Sequence, residues 1–186
     1  VVQYAQDFLR QKGFTLDQVN FIAVGRQIIG QLMRGKQNVI EAYPVSNSVK
    51  AVSKTAASVL ITADKYIHTH HVTHVYVFYS EKRGVSVSAT ETLLMPLGTE
   101  WMERLKKRGW PGRNLPTYTL PPEKIYSALL KERLLIELST AITEALSAEH
   151  HMRLTTMQAA EKNIDENLEA MNLQYQQMRQ ENITTE

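Results

Sequence analysis

The sequence predicts an α/β protein: a Rossmann-like sheet with flanking helices over residues 1–120, then a long helix over residues 121–186 of coiled-coil type. Three observations carry this expectation. Short apolar runs alternate with amphipathic stretches through the first half of the chain. Neither glycine nor proline occurs in the 64 residues after Pro122. Within "LTTMQAAEKNIDENLEAMNLQYQQMRQ" the apolar residues fall at Leu154, Met157, Ile164, Leu168, Met171, Tyr175 and Met178. Their steps alternate three and four, with Glu161 the one polar occupant of the series. Such a seam is narrow, and it needs a second helix to bury it.

Residues 1–12 read as a helix, with Val1, Tyr4, Ala5, Phe8 and Leu9 on one face and Gly13 as the stop. "VNFIAVG" is a continuous apolar run of the kind found in buried strands. "RQIIGQLMRG" follows as a short helix closed by Gly35, and "NVIEAYPV" as a second strand. The next stretch opens with Ser46 or Ser48 as N-cap and continues as a helix. "THVYVFYS" and "VSVSATETLLMPL" are strands three and four, joined by "EKRG" as a turn in an antiparallel hairpin. An α/β domain that opens on a helix is unusual, because a strand normally feeds that helix; the first residues read as a helix already under way. Residues 98–122 are rich in Gly, Pro and basic residues and read as an irregular loop with one short helical turn. The last 64 residues, as one helix, would span about 95 Å. Its first part has a broad apolar face of Ile125, Leu129, Leu134, Leu135, Leu138, Ile142, Ala145 and Leu146, wide enough to pack on a sheet. Past His150 the face narrows to the seam, so the helix is expected to start on the domain and leave it.

The chain has 186 residues, 43% hydrophobic and 22% charged, enough for one domain plus an extension. Its net charge of +2 does not by itself imply nucleic acid. It contains no cysteine, which excludes disulfides, thiolate metal sites and a cysteine nucleophile. No apolar run approaches the ~20 residues needed to span a bilayer, and no signal peptide is visible.

Three stretches could carry chemistry. "HTHHVTH" holds His68, His70, His71 and His74, and imidazoles four apart on a helix can share a metal ion. The stretch lacks a carboxylate partner and reads better as a solvated helix end before a strand. "GRQIIGQ" superficially has the glycines of a phosphate loop, but Gln31 and Leu32 stand where that motif needs lysine and a hydroxyl. Gly25 there serves the turn from strand to helix. "RLKKRGWPGR" sets Arg104, Lys106, Lys107 and Arg108 between Trp101 and Trp110, with Arg113 just beyond, a pattern that could bind single-stranded nucleic acid but reads as a solvated surface loop. The carboxylates Glu161, Asp165, Glu166 and Glu169 follow a solvated helix face. No catalytic residue, metal site or cofactor site emerges.

"SAEHHMRLTTMQAAEKN" resembles the C-terminal helix signature of the gamma subunit of rotary F-type ATP synthases, with Glu149, Arg153, Met157, Ala160 and Asn163 on the pattern. "LQYQQMRQENITTE" is similar to the family's next block through Tyr175, Arg179, Gln180, Ile183, Thr184 and Glu186. "FIAVGRQ" and "FYSEKRGVSVSATETLLMPL" are similar, more loosely, to its strand ending in glycine and its hairpin. Thr156, Gln158, Gln176 and Asn182 depart from the usual pattern, as in a divergent or alternative branch.

The resemblance implies a non-catalytic central shaft without cofactors, coupling ion flow through a membrane ring to ATP synthesis or hydrolysis. It implies that the seam pairs with the family's long N-terminal helix, which, with the first strand, would precede residue 1. It implies alpha and beta subunits around the shaft, with Arg179, Gln180 and Thr184 among the contacts, and the epsilon subunit and c-ring at the globular end. The location implied is peripheral, on the cytoplasmic face of a membrane or the equivalent organelle side. Two other readings compete: a small α/β nucleotide-binding module with a dimerising helical tail, and a nucleic-acid binder using the Trp101–Arg113 loop. The first lacks a phosphate loop or nucleophile; the second would show steep salt dependence.

Overall fold

The computed structural model describes residues 1–45, 49–84, 86–109, 112–114 and 117–184, without the side chains of Val49, Thr99, Glu100, Trp101 and Asn182. The expected N-caps Ser46 and Ser48, and Trp110, lie outside the described residues. The elements run α1 (Val2–Gln11), a 3-10 turn (Leu16–Gln18), β1 (Phe21–Val24), α2 (Arg26–Arg34), β2 (Val39–Tyr43), α3 (Val49–His70), β3 (Val75–Arg83), β4 (Ser86–Met95), α4 (Thr99–Lys107) and α5 (Pro122–Thr184). The mixed α/β class with a long C-terminal helix is as expected. The chain divides into two compact units, Val1–Ser147 and Ala148–Glu186, and α5 contributes to both.

In the first unit the strands form two ribbons and not the single sheet expected. β1 pairs with β2 in parallel, and β3 with β4 antiparallel. The hairpin bonds along its whole length because its strands are joined by a tight turn, the cheapest loop to close. Pairing runs on to Arg83–Ser86, so the expected turn residues Glu81, Lys82 and Arg83 belong to the strand.

Both ribbons pack on one core. Ala56 and Val59 of α3, Leu94 of β4, and Leu134 and Leu138 of α5 are buried together, with Ile22, Val24, Tyr43, Val75 and Val77 against them. Strand alternation decides the faces. Val75 and Val77 meet the α3 and α5 layer, whereas Tyr76 and Phe78 meet α1, where the Phe8 ring lies 5.4 Å from Tyr76 and 5.6 Å from Phe78. Leu94 is the extra residue where the β3–β4 register shifts, and the bulge turns it into the core. The Tyr43 hydroxyl ties β2 to α3 through Thr62 Oγ1, 2.7 Å away.

Gly25 makes the turn expected of it. It sits between β1 and α2 at φ +108, a conformation closed to L side chains, with the Val45 Cγ2 methyl 3.4 Å from where a Cβ would stand. Two expectations are corrected. Residues 99–107 form a helix of nine residues, longer than one turn. Leu129 does not join the packed face of α5; it is 60% exposed. Five residues separate it from buried Leu134, which places it about 140° away around the helix.

Candidate interaction surface

The second unit is α-helix, held by bonds along its own axis. Arg153 Nη2 meets Glu149 Oε1 at 2.5 Å, and Lys162 Nζ meets Glu166 Oε1 at 3.6 Å. The hydroxyls of Thr155, Thr156 and Thr184 donate to the carbonyls of His151, Met152 and Gln180, each four residues back. Exposed pairs at this spacing contribute only about 0.3–0.5 kcal/mol each. They do nothing to cover the seam. Leu154, Met157, Ile164, Leu168, Met171, Tyr175 and Met178 are all more than half exposed. A contiguous apolar stripe of this length on a protein surface marks an interaction site.

Arg179, Gln180 and Thr184 are exposed near the end of the helix. At 100° per residue Arg179 lies about 40° from Tyr175, beside the seam, whereas Gln180 and Thr184 lie about 140° and 180° from it. The three therefore do not form one cluster: one flanks the seam and two face away.

The structure adds a stretch that the sequence reading assigned to the packed face or passed over. Tyr126, Leu129 and Ile136 are 51%, 60% and 59% exposed on α5 within the first unit. Counting back from Leu154 by alternating four and three reaches positions 136, 129 and 126, so they share the heptad phase of the seam. Intervening positions of that phase are His150, Ser147, Thr143, Thr140 and Arg133. A count of apolar residues missed the continuity because polar side chains interrupt it. A shallow groove beside this stretch is lined by Ser53 of α3 and by Leu135, Ile136, Ser139, Thr140 and Thr143 of α5, with Glu144 its only ionisable group.

The histidines do not converge. His68 Nε2 pairs with Asp64 at 3.5 Å, a carboxylate partner one helical turn back that the sequence reading overlooked. His70 stacks on Tyr66 at 3.9 Å. His71 ends α3 with φ +50, and His74 lies between Phe14 and Tyr76. Among the described residues no group of three His, Asp or Glu could hold a metal ion. Tyr4 donates to Glu91 Oε2, and that bond, with the carboxylate's charge, raises the phenol above its ordinary pKa. This contact fastens α1 to β4. No helix among the described residues is long and apolar enough to cross a membrane.

Comparison with known proteins places this surface in context. A family model described as ATP synthase matches residues 1–186. The ATP synthase gamma chain of Geobacter metallireducens is 26% identical over 191 residues, covering 100% of this chain and 63% of the relative. That of Lactiplantibacillus plantarum is 26% identical over 200 residues, covering 100% of this chain and 62% of the relative. This chain thus spans less than two thirds of the length of these relatives. Among solved structures, the rotor of the Euglena gracilis mitochondrial ATP synthase in rotational state 1 superposes with a TM-score of 0.61. That match has 14% identity and covers 96% of this chain and 68% of the other, a likeness of fold.

Proposed function

The chain belongs to the gamma-chain family of ATP synthases, and on that premise we propose that it forms part of the central rotor shaft of a rotary ATP synthase. One observation carries the reading: the seam of α5 is exposed from Leu154 to Met178, with no occupant among the described residues. Its partner is the N-terminal helix of the full-length polypeptide, paired antiparallel with α5. The phase shared with Tyr126, Leu129 and Ile136 supports pairing that begins on the first unit.

In this reading the seam faces the partner helix, while Gln180 and Thr184 face outward, toward the alpha and beta subunits around the shaft. Arg179 flanks the seam, where a guanidinium can reach a carboxylate or carbonyl on a neighbouring loop. The work is mechanical. Asymmetric contact with each beta subunit in turn biases that subunit's nucleotide affinity, so rotation drives three sites through different affinity states. In this reading bond making belongs to the other subunits. The globular unit meets the epsilon subunit and the membrane c-ring, so the chain is peripheral to the membrane, on the cytoplasmic or equivalent side. The competing nucleotide-binding reading still lacks its chemistry, since Gln31 and Leu32 follow Gly30.

The test is a graft. This chain replaces the matching segment of a relative's gamma chain, and the assembled enzyme is assayed for ATP hydrolysis and ATP-driven ion pumping. The Ile164→Asp, Leu168→Asp graft is expected to hydrolyse ATP while pumping falls. A graft that assembles and pumps equally well with and without those changes overturns the proposal.

A further inference from the structure

The first unit carries a second surface that the shaft reading does not use. α4 and the segment after it hold five cations, Arg104, Lys106, Lys107, Arg108 and Arg113, against two carboxylates, Glu100 and Glu103. That is a net +3 over residues 98–122, while the whole chain is +2, so everything else sums to −1. This segment is more densely positive than the chain on either side: residues 1–97 carry a net +4 spread over 97 residues, and residues 123–186 carry −5. All five cations are exposed, and among the described residues none of them pairs with a carboxylate. A solvated face built for solubility alone mixes its signs.

The same helix exposes apolar side chains. Met102 and Leu105 are three residues apart, on one face of α4, and are 39% and 45% exposed. Lys106 follows Met102 by four residues and Arg108 follows Leu105 by three, so a cation borders the apolar strip on each side. Their aliphatic stems can lie along that strip while the charges stay outside it. Tyr118 and Leu120, farther along the same segment, are 63% and 58% exposed.

We propose that α4 docks on an anionic lipid bilayer surface, with Met102 and Leu105 entering the headgroup boundary and Arg104, Lys106, Lys107 and Arg108 engaging the acidic headgroups. Charge complementarity selects the sign of the partner. The apolar strip selects its kind: acyl chains accept Met102 and Leu105, whereas a phosphodiester backbone has nothing to offer them. A helix of this pattern lies in the plane of the interface and does not span it. The inference stands apart from the shaft reading, because binding to lipid needs no other subunit.

The experiment is flotation of the full chain with vesicles of phosphatidylcholine, with and without phosphatidylglycerol. The chain is expected to float with the anionic vesicles only, and less as salt is raised. Each cation removed lowers partitioning about fivefold, so Arg104→Ala with Lys106→Ala is expected to cost about thirtyfold. Leu105→Ser is expected to weaken binding at every salt concentration, since it removes the apolar part. Far-UV circular dichroism matching the wild type shows that these exposed substitutions leave the fold intact. Three outcomes overturn the proposal: no flotation, equal flotation with neutral vesicles, or binding to a single-stranded oligonucleotide in place of vesicles.

Discussion

Replacing Ile164 and Leu168 by Asp tests the seam where it is most regular. The two lie four residues apart, one above the other on α5, and are 59% and 53% exposed in the lone chain. Full burial of such a side chain is worth about 1.5–3 kcal/mol, and somewhat over half of that is still to be gained on pairing. That leaves about 1–1.5 kcal/mol each, or about 2–3 kcal/mol per helix for both. Association should weaken by about 30- to 150-fold, and by more once the cost of desolvating two carboxylates is added. The isolated chain loses almost no packing, and the change in helix propensity is a few tenths of a kcal/mol per residue. A helix without tertiary packing is weakly held, so the wild-type segment after about His150 has two outcomes in isolation. It frays, or it pairs with the same segment of a second copy. Sedimentation velocity over a concentration series, with circular dichroism in parallel, separates them. Self-association in the wild type should vanish in the double variant. A wild type that stays monomeric with α5 fully helical to Thr184 refutes the reasoning.

Other outcomes follow from the first unit. Leu138→Ala empties a site that is 6% exposed at the centre of the core, and should cost about 2–5 kcal/mol by chemical denaturation. Gly25→Ala forces a Cβ into φ +108 and toward the Val45 methyl, so a loss of about 1–3 kcal/mol is expected in thermal unfolding. Tyr4 has a raised folded pKa, so its neutral form is favoured in the native state. The stability linked to it is fully present below pH ~10 and is lost as pH rises through the higher folded value. Ultraviolet titration of the wild type should show a late-ionising component that Tyr4→Phe removes. The purified chain should bind ATP no tighter than millimolar, because no lysine or hydroxyl follows Gly30. A micromolar site in calorimetric titration would contradict that.

Much of this protein was legible in order along the chain. Periodicity placed α1, α2, α3 and the hairpin to within a few residues, because a buried face repeats at the period of its own element. The lack of Gly and Pro after Pro122 defined α5, since only those residues break a helix outright. The motifs around Glu149 and Arg153 and around Tyr175, Arg179 and Gln180 carried the family resemblance. Tertiary structure decided the rest. Leu129 and Leu134 look alike in sequence, but opposite sides of α5 separate them into solvent and core. Asp64 reaches His68 only once α3 is wound, which brings residues four apart onto one face. Pairing between strands is a long-range choice among edges, and no local pattern says that β1 takes β2 and β3 takes β4. The exposure of Tyr126, Leu129 and Ile136 was decided only when packing consumed the other side of the helix. Local periods are written in the chain; which face of an element meets a neighbour is fixed by the neighbours that fold against it.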